Sequence, residues 1–260
     1  MYQSFYFRCI ISDIMKNKLL FILPVMMLTA CHIEGYHYDN ASKYSEFNGS
    51  ITFQEGVTIN TLNVGWLSGE VIISEGETFT VTEVNLNEKV EYLPLYYYID
   101  GSTVNLQYCK NGMSSNKTKN NKKKLEVTIP SSVDYIDLNL VSAVYTVNVS
   151  DMKDMRFDVV SGSGSVVVNK VETVNLNSVS GNFNLKIKDT SDLKTIDLDL
   201  VSGNVNLMVD GVKGYELKFD TVSGNVVKDF ATPSDETLPK FKINFDSVSG
   251  ALYIGKLEQN

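Results

Sequence analysis

The chain has 260 residues, 43% of them hydrophobic, with 23 basic and 31 acidic side chains and a net charge of −8. That apolar share supports a substantial core, and no long polar stretch reads as a disordered half. The acidic balance disfavours nucleic acid and anionic lipid head groups as partners.

In chain order, the first feature is a targeting segment, "MKNKLLFILPVMMLTAC" from Met15. Lys16 and Lys18 give it a positive start, and Leu19 to Leu28 form an apolar run too short to cross a bilayer, which needs about 20 residues. Residues 1–30 are therefore expected to be a signal peptide, with the true start at Met15. Small residues lead directly into Cys31, the pattern of a lipidated cysteine; an ordinary signal peptide with a chance Cys after its cleavage site is the alternative. Loss of Arg8, Lys16, Lys18 and Asp13 turns the 23 basic and 31 acidic residues into 20 and 30, a net of −10. Only Cys31 and Cys109 then remain, so no internal disulfide is available to a domain whose Cys31 is acylated.

Residues 31–43 read as a lipidated tether, and 44–135 as an irregular β-rich half. There "FNGSITFQEG" and "LNVGWLSGEVIISEGETFTVTEV" show a strand, a corner at Leu67-Ser68-Gly69 and a second strand. A hairpin is expected at "YLPLYYYIDGSTVNLQYC", turning at Asp100-Gly101. Lys110 to Lys124 is Asn- and Lys-rich and reads as a solvated loop. "KLEVTIP" resumes a strand.

Residues 136–260 carry a repeat. Val-Ser-Gly or its variant recurs at Val141, Val160, Val179, Val201, Val222 and Val248, in steps of 19, 19, 22, 21 and 26 residues. Apolar residues alternate on both sides of each copy, as in Ile196, Leu198, Leu200 and Val205, Leu207, Val209. Period two marks strands with one buried face. Gly at the bend suits a tight corner, and Ala143, which replaces it once, implies ordinary dihedrals there. A unit of about 20 residues cannot enclose a core alone, but stacking about 4.8 Å apart makes its inward faces one column. The expected fold is all-β: a β-solenoid or β-helix-like stack of strand-corner-strand repeats, continuous with the irregular half. A β-sandwich is the alternative that near-identical corners disfavour.

The order of "NVGWLSGEVIISEG", "KKKLEVTIP" and the serial "VSGN" corners resembles the bacterial adhesin-type family DUF4097, over about residues 46–256. That resemblance implies a solenoid-like fold on an exported, often membrane-anchored protein, and an association with envelope-stress systems.

Catalytic chemistry is sparse. Both histidines of the mature chain, His32 and His37, lie beside the proposed anchor, so the repeats hold no Ser-His or Cys-His pair and no His-based metal site. Cys109 reads as a semi-buried strand residue, and "SGSGSV" at Ser161 to Val166 as a corner rather than a nucleophile elbow. Arg156 is the single arginine of the mature chain. The distinctive candidate is a polar row two places before each corner Val: Asn139, Asp158, Asn177, Asp199, Asp220 and Asp246. Alternation puts it on the outer face, with Asp199, Asp220 and Asp246 in successive rungs. It is either a set of solvated corner residues or a recognition ladder for a polyhydroxylated polymer; its spacing does not match the Ca²⁺ nonapeptide, so no metal and no cofactor is expected. Tyr92, Tyr96, Tyr97 and Tyr98 are expected to cover the hairpin, with sugar or partner stacking as the alternative.

The resulting expectation is a non-enzymatic surface lipoprotein, extracytoplasmic and held to the membrane through Cys31, binding cell-wall or host glycan or protein, or a membrane-protein partner, and not nucleic acid. An accessory of an envelope-stress sensor is the alternative. A polysaccharide-cleaving β-helix enzyme would need convergent carboxylates that a regular row does not supply.

Overall fold

The computed structural model describes residues 35–53, 56–118, 120–229 and 239–257. Cys31 and the expected signal peptide lie outside the described residues. The strands are β1 (Ser45–Glu46), β2 (Thr61–Glu75), β3 (Thr80–Asn85), β4 (Tyr96–Asp100), β5 (Thr103–Gln107), β6 (Lys123–Ile129), β7 (Tyr135–Asp189), β8 (Thr195–Val209), β9 (Gly214–Thr221), β10 (Asn225–Lys228) and β11 (Lys240–Lys256). The fold is the solenoid that the repeat implies. β7 is 55 residues of extended chain passing through three coils, with corners at Ala143, Gly162 and Gly181.

Each coil has one arm before its corner and one after. Coils stack in parallel with their corners in register: Ser68 on Ser142 and Gly69 on Ala143, then Ser202 on Ser249 and Gly203 on Gly250. Alternation sends Leu62, Val64 and Trp66, Ile136, Leu138 and Leu140, and Ile196, Leu198 and Leu200 inward from the first arms, all at most 2% exposed. The second arms add Val71 and Ile73, Tyr145 and Val147, and Val205 and Leu207 to the same core.

The amino-terminal end is closed by antiparallel strands. β5 and β6 together form one layer on the two arms of β2. β4 then pairs antiparallel with β5, β3 with β6, and β1 with β4. The expected hairpin is β4–β5, where Asp100 pairs with Thr103 around Gly101-Ser102.

At the other end the chain departs from sequence order. After β8 it skips a layer, forms β9 and β10, and returns as β11, which fills the gap between β8 and β9–β10. Phe219, an inward position by alternation, is consequently 51% exposed, because β9 is the last layer among the described residues.

The corner glycines answer a need for close approach more than for unusual angles. A Cβ on Gly162 would lie 2.2 Å from the Ala143 carbonyl oxygen, on Gly181 2.0 Å from that of Gly162, and on Gly203 2.1 Å from that of Gly181. Gly181 and Gly203 also have φ of 154° and 124°, whereas Ala143 has ordinary dihedrals, as its sequence implies. Gly164 meets a different need, since its missing side chain leaves room for the Tyr145 ring, 2.0 Å from where a Cβ would stand. That ring stacks on Phe157 at 5.2 Å and 15°. Both glycines of "SGSGSV" are thus spacers.

Candidate functional site

The polar row exists on the outer face of the first arms, in an order the sequence does not show. Gly65 pairs with Asn139, Asn177 with Asp199, Asp199 with Asp246, and Asp246 with Asp220; Asp158 belongs to the coil between Asn139 and Asn177. Asp246 therefore stands between Asp199 and Asp220, which corrects the expected succession. The cause is the insertion of β11. Asp158 is buried at 7% exposure, Asp220 is exposed, and the others are half-buried.

Hydrogen bonds between coils hold this face. Asn177 Nδ2 donates to Asp158 Oδ1 at 2.6 Å, while Arg156 Nε lies 3.6 Å from Asp158 Oδ2. Asn139 turns along its own strand and donates to Asp137 Oδ1 at 2.8 Å. A second row, two residues earlier, does the same. Asn63 donates to Asn105 at 2.9 Å, Asn175 to Asp154 at 3.2 Å, and Asn244 to Asp197 at 2.6 Å. On the second arms Asn204 donates to Asn182 and Asn206 to Asn184. An amide that donates to the next coil has a second hydrogen and an oxygen left for outside partners where it is exposed, as at Asn204, whereas the Asn206 oxygen is buried. The surface is a lattice of donors and acceptors repeating about every 4.8 Å, with a carboxylate triplet toward the β9 end. Such a lattice can bind hydroxyl groups in series; it does not aim an acid and a base at one bond.

The most chemically unusual centre lies elsewhere, at the end of the basic run that composition assigns to solvent. Lys123 is fully buried, which corrects the expected loop, and its partner Glu83 has 1% side-chain exposure. The ammonium donates to Glu83 Oε1, to the Tyr108 carbonyl and, at 2.6 Å, to the Leu93 carbonyl. It also sits 4.9 Å from the Trp66 ring centroid and 4.2 Å from that of Tyr108. All three protons are used, and two aromatic faces complete the cage. Burial lowers the Lys123 pKa, and Glu83 opposes that shift. Glu83 Oε2 accepts from the Leu95 amide at 3.0 Å and from Tyr92.

Around this pair Asn121 is fully buried, donating to the Glu91 carbonyl at 2.7 Å and accepting Ser68 Oγ on its own carbonyl at 2.7 Å. The cluster ties β3, the approach to β4 and the chain after β5 to the first corner. Its signal was the period: in Lys123–Ile129 every second residue is buried, which puts Lys123 on the apolar face. Cys109 is buried beside it, and burial pushes its thiol up to about 12, so it is no nucleophile at neutral pH.

The tyrosines are committed to packing and hydrogen bonds. Tyr96 donates to Glu46 at 3.0 Å, Tyr97 meets Phe47 edge to face, and Tyr98 contacts Tyr44 with Lys43 over its ring. Tyr92 is 47% exposed and bonded to Glu83. Tyr36 is hydrogen-bonded to Met113 and reaches the Gly65 carbonyl, so the described chain begins against the β5–β2 end of the stack. Among the described residues no group of three or more His, Cys, Asp or Glu side chains is placed to hold a metal ion.

Parallel coils, an antiparallel cap and a polar outer lattice define a β-solenoid. The chain belongs to the Toastrack DUF4097 family, whose model matches residues 44–244. Among solved structures it resembles one from Clostridium sporogenes described as "a putative cell adhesion protein", at 13% identity, over 82% of this chain and 98% of that one, with a TM-score of 0.50. A second, "a putative adhesin" from Bacteroides fragilis, matches at 12% identity over 82% of this chain and 96% of that one, with a TM-score of 0.39. No curated protein matches the chain.

Proposed function

We propose that this protein is an adhesin-like, non-enzymatic binding scaffold of the bacterial cell envelope, anchored through a lipidated Cys31. The observation that carries the reading is the outer lattice: polar rows in register over successive coils, built on a stack stiffened by parallel pairing. A surface of that kind suits a long polymer with repeating hydroxyl groups, because successive coils present an amide or a carboxylate at the same place. The adhesion description of the Clostridium sporogenes structure agrees with this use. The anchor rests on the charge, apolar run and small residues leading to Cys31; two acyl chains on one residue suffice for stable attachment at about 0.8 kcal/mol per buried CH₂.

Two measurements test the reading. In the native host, metabolic acyl label should enter the wild-type protein and not Cys31→Ser, which should leave the membrane fraction; label retained by the variant contradicts the anchor. Isolated cell-wall sacculi and host matrix glycoproteins should bind the processed chain in sedimentation assays. Failure to bind either contradicts the polymer-binding role and points to a membrane-protein partner.

A further inference from the structure

The two ends of the stack differ. The amino-terminal layer is covered by antiparallel strands, whereas among the described residues β9 and β10 each pair only with β11. Among the described residues no strand lies on the far side of β9. Phe219, Val222 and Val227 are 51%, 68% and 49% exposed there. A strand edge beside exposed apolar side chains is a template for another strand. Solenoids are normally closed at this position by a polar cap.

The sequence of the edge specifies which strand. β9 reads Glu216-Leu217-Lys218-Phe219, with Glu216 and Lys218 exposed on either side of Leu217. We propose that β9 is the contact strand of a homodimer, pairing antiparallel with β9 of a second copy about a twofold axis through Leu217. In an antiparallel pair, residues equidistant from the axis face each other on the same side. The axis at Leu217 therefore sets Glu216 against the second copy's Lys218, and Lys218 against its Glu216. Moving the axis by one residue destroys this. Through Lys218 it opposes two lysines and sets Glu216 against Asp220; through Glu216 it opposes two glutamates. An edge protected against association uses like charges that repel in every register. Here the axis through Leu217 is attractive and the registers one residue to either side are repulsive, the pattern of a specified self-contact; an axis through Phe219 would set Lys218 against Asp220, a carboxylate that already has a partner.

The layers between β4 and β9 make a stack about 40 Å long at about 4.8 Å per layer. The described chain begins at the opposite end, so this contact joins two copies tip to tip and leaves Tyr36 of each at the far ends. The pairing itself needs neither the anchor nor the outer lattice, and its failure would leave the proposed function standing.

The test is analytical ultracentrifugation of the processed chain carrying Cys31→Ser, from low micromolar to hundreds of micromolar. The wild type should show a monomer–dimer equilibrium. E216K and K218E should each weaken it about tenfold or more, because each replaces two attractive cross-strand pairs by repulsive ones. The double variant E216K/K218E restores the complementary pattern and should dimerise as the wild type does. Circular dichroism should be the same for all four proteins, since both residues are exposed. A wild type that stays monomeric throughout overturns the proposal, as does a dimer indifferent to the single charge reversals.

Discussion

Replacing Gly203 by alanine probes the feature that makes this stack possible, the close approach of successive corners. The added Cβ would stand 2.1 Å from the Gly181 carbonyl oxygen and 2.9 Å from its amide nitrogen. An ordinary contact begins at 3.4 Å, so one corner must retreat by about 1.3 Å. Neither can do so freely: Gly203 is held in register by Gly250 on its other side, and Gly181 touches the Gly162 carbonyl in the same way. Overpacking of this kind costs about 1–3 kcal/mol. The positive φ of 124° adds about 1–3 kcal/mol. Alanine returns about 0.4–1 kcal/mol by restricting the unfolded chain. The net expectation is a loss of about 2–5 kcal/mol. Urea unfolding followed by far-UV circular dichroism should show a midpoint lowered by about 1 M or more. Gly250→Ala should cost less, because its Cβ would lie 2.9 Å from the nearest carbonyl and its φ is not positive. Gly203→Ala within about 0.5 kcal/mol of wild type would refute the reasoning, since surface changes alone produce effects of that size.

Three further outcomes follow from the same structure. Lys123→Met should destabilise by about 3–5 kcal/mol by stranding the Glu83 carboxylate, and Glu83→Gln in the same chain should recover most of that loss in urea unfolding. Gly164→Ala should cost about 1–3 kcal/mol by displacing the Tyr145 ring, and Tyr145→Leu should make that cost smaller, a coupling measurable by a double-mutant cycle. Stability should fall above pH 9. Burial pushes the Cys109 thiol from its ordinary 9.0 up to about 12 in the folded state, and the Tyr108 hydroxyl from 10.0 also up to about 12. A raised folded pKa stabilises fully below the unfolded value and loses that contribution as pH rises toward the folded one. The thermal midpoint should therefore decline between pH 9 and about 12, and Cys109→Ala should flatten the onset.

The regular half was legible because period two and a recurring corner leave few architectures open. Leu198, Leu200, Val205 and Leu207 are buried where alternation puts them. What escaped was the order of layers: nothing local in "INFDSVSGALYI" distinguishes a next coil from one that returns to fill a gap, because every corner accepts every other. Phe219 shows the consequence, apolar by pattern yet exposed at the last layer. The Lys123 cage was hidden for a different reason. Composition made Lys110–Lys124 a solvated loop, and the shift from loop to strand occurs inside the lysine run. Strand period assigns Lys123 to the core, but a lysine there makes sense only once Glu83, Leu93 and Tyr108, up to 40 residues away, supply its partners. The outer polar row was found by its position before each corner; its hydrogen-bond zipper was not, because which amide meets which carboxylate depends on register between coils.

The most direct test of the outer lattice as a binding face compares the wild-type processed chain with the triple variant Asp199→Ala, Asp220→Ala, Asp246→Ala on whichever sacculus or matrix glycoprotein the wild type binds. A double variant outside the lattice, Glu88→Ala and Lys89→Ala, both exposed after β3, serves as the comparison. Loss of binding in the aspartate variant is expected, with circular dichroism unchanged and the Glu88/Lys89 variant retaining affinity. Undiminished binding by the aspartate variant would contradict it.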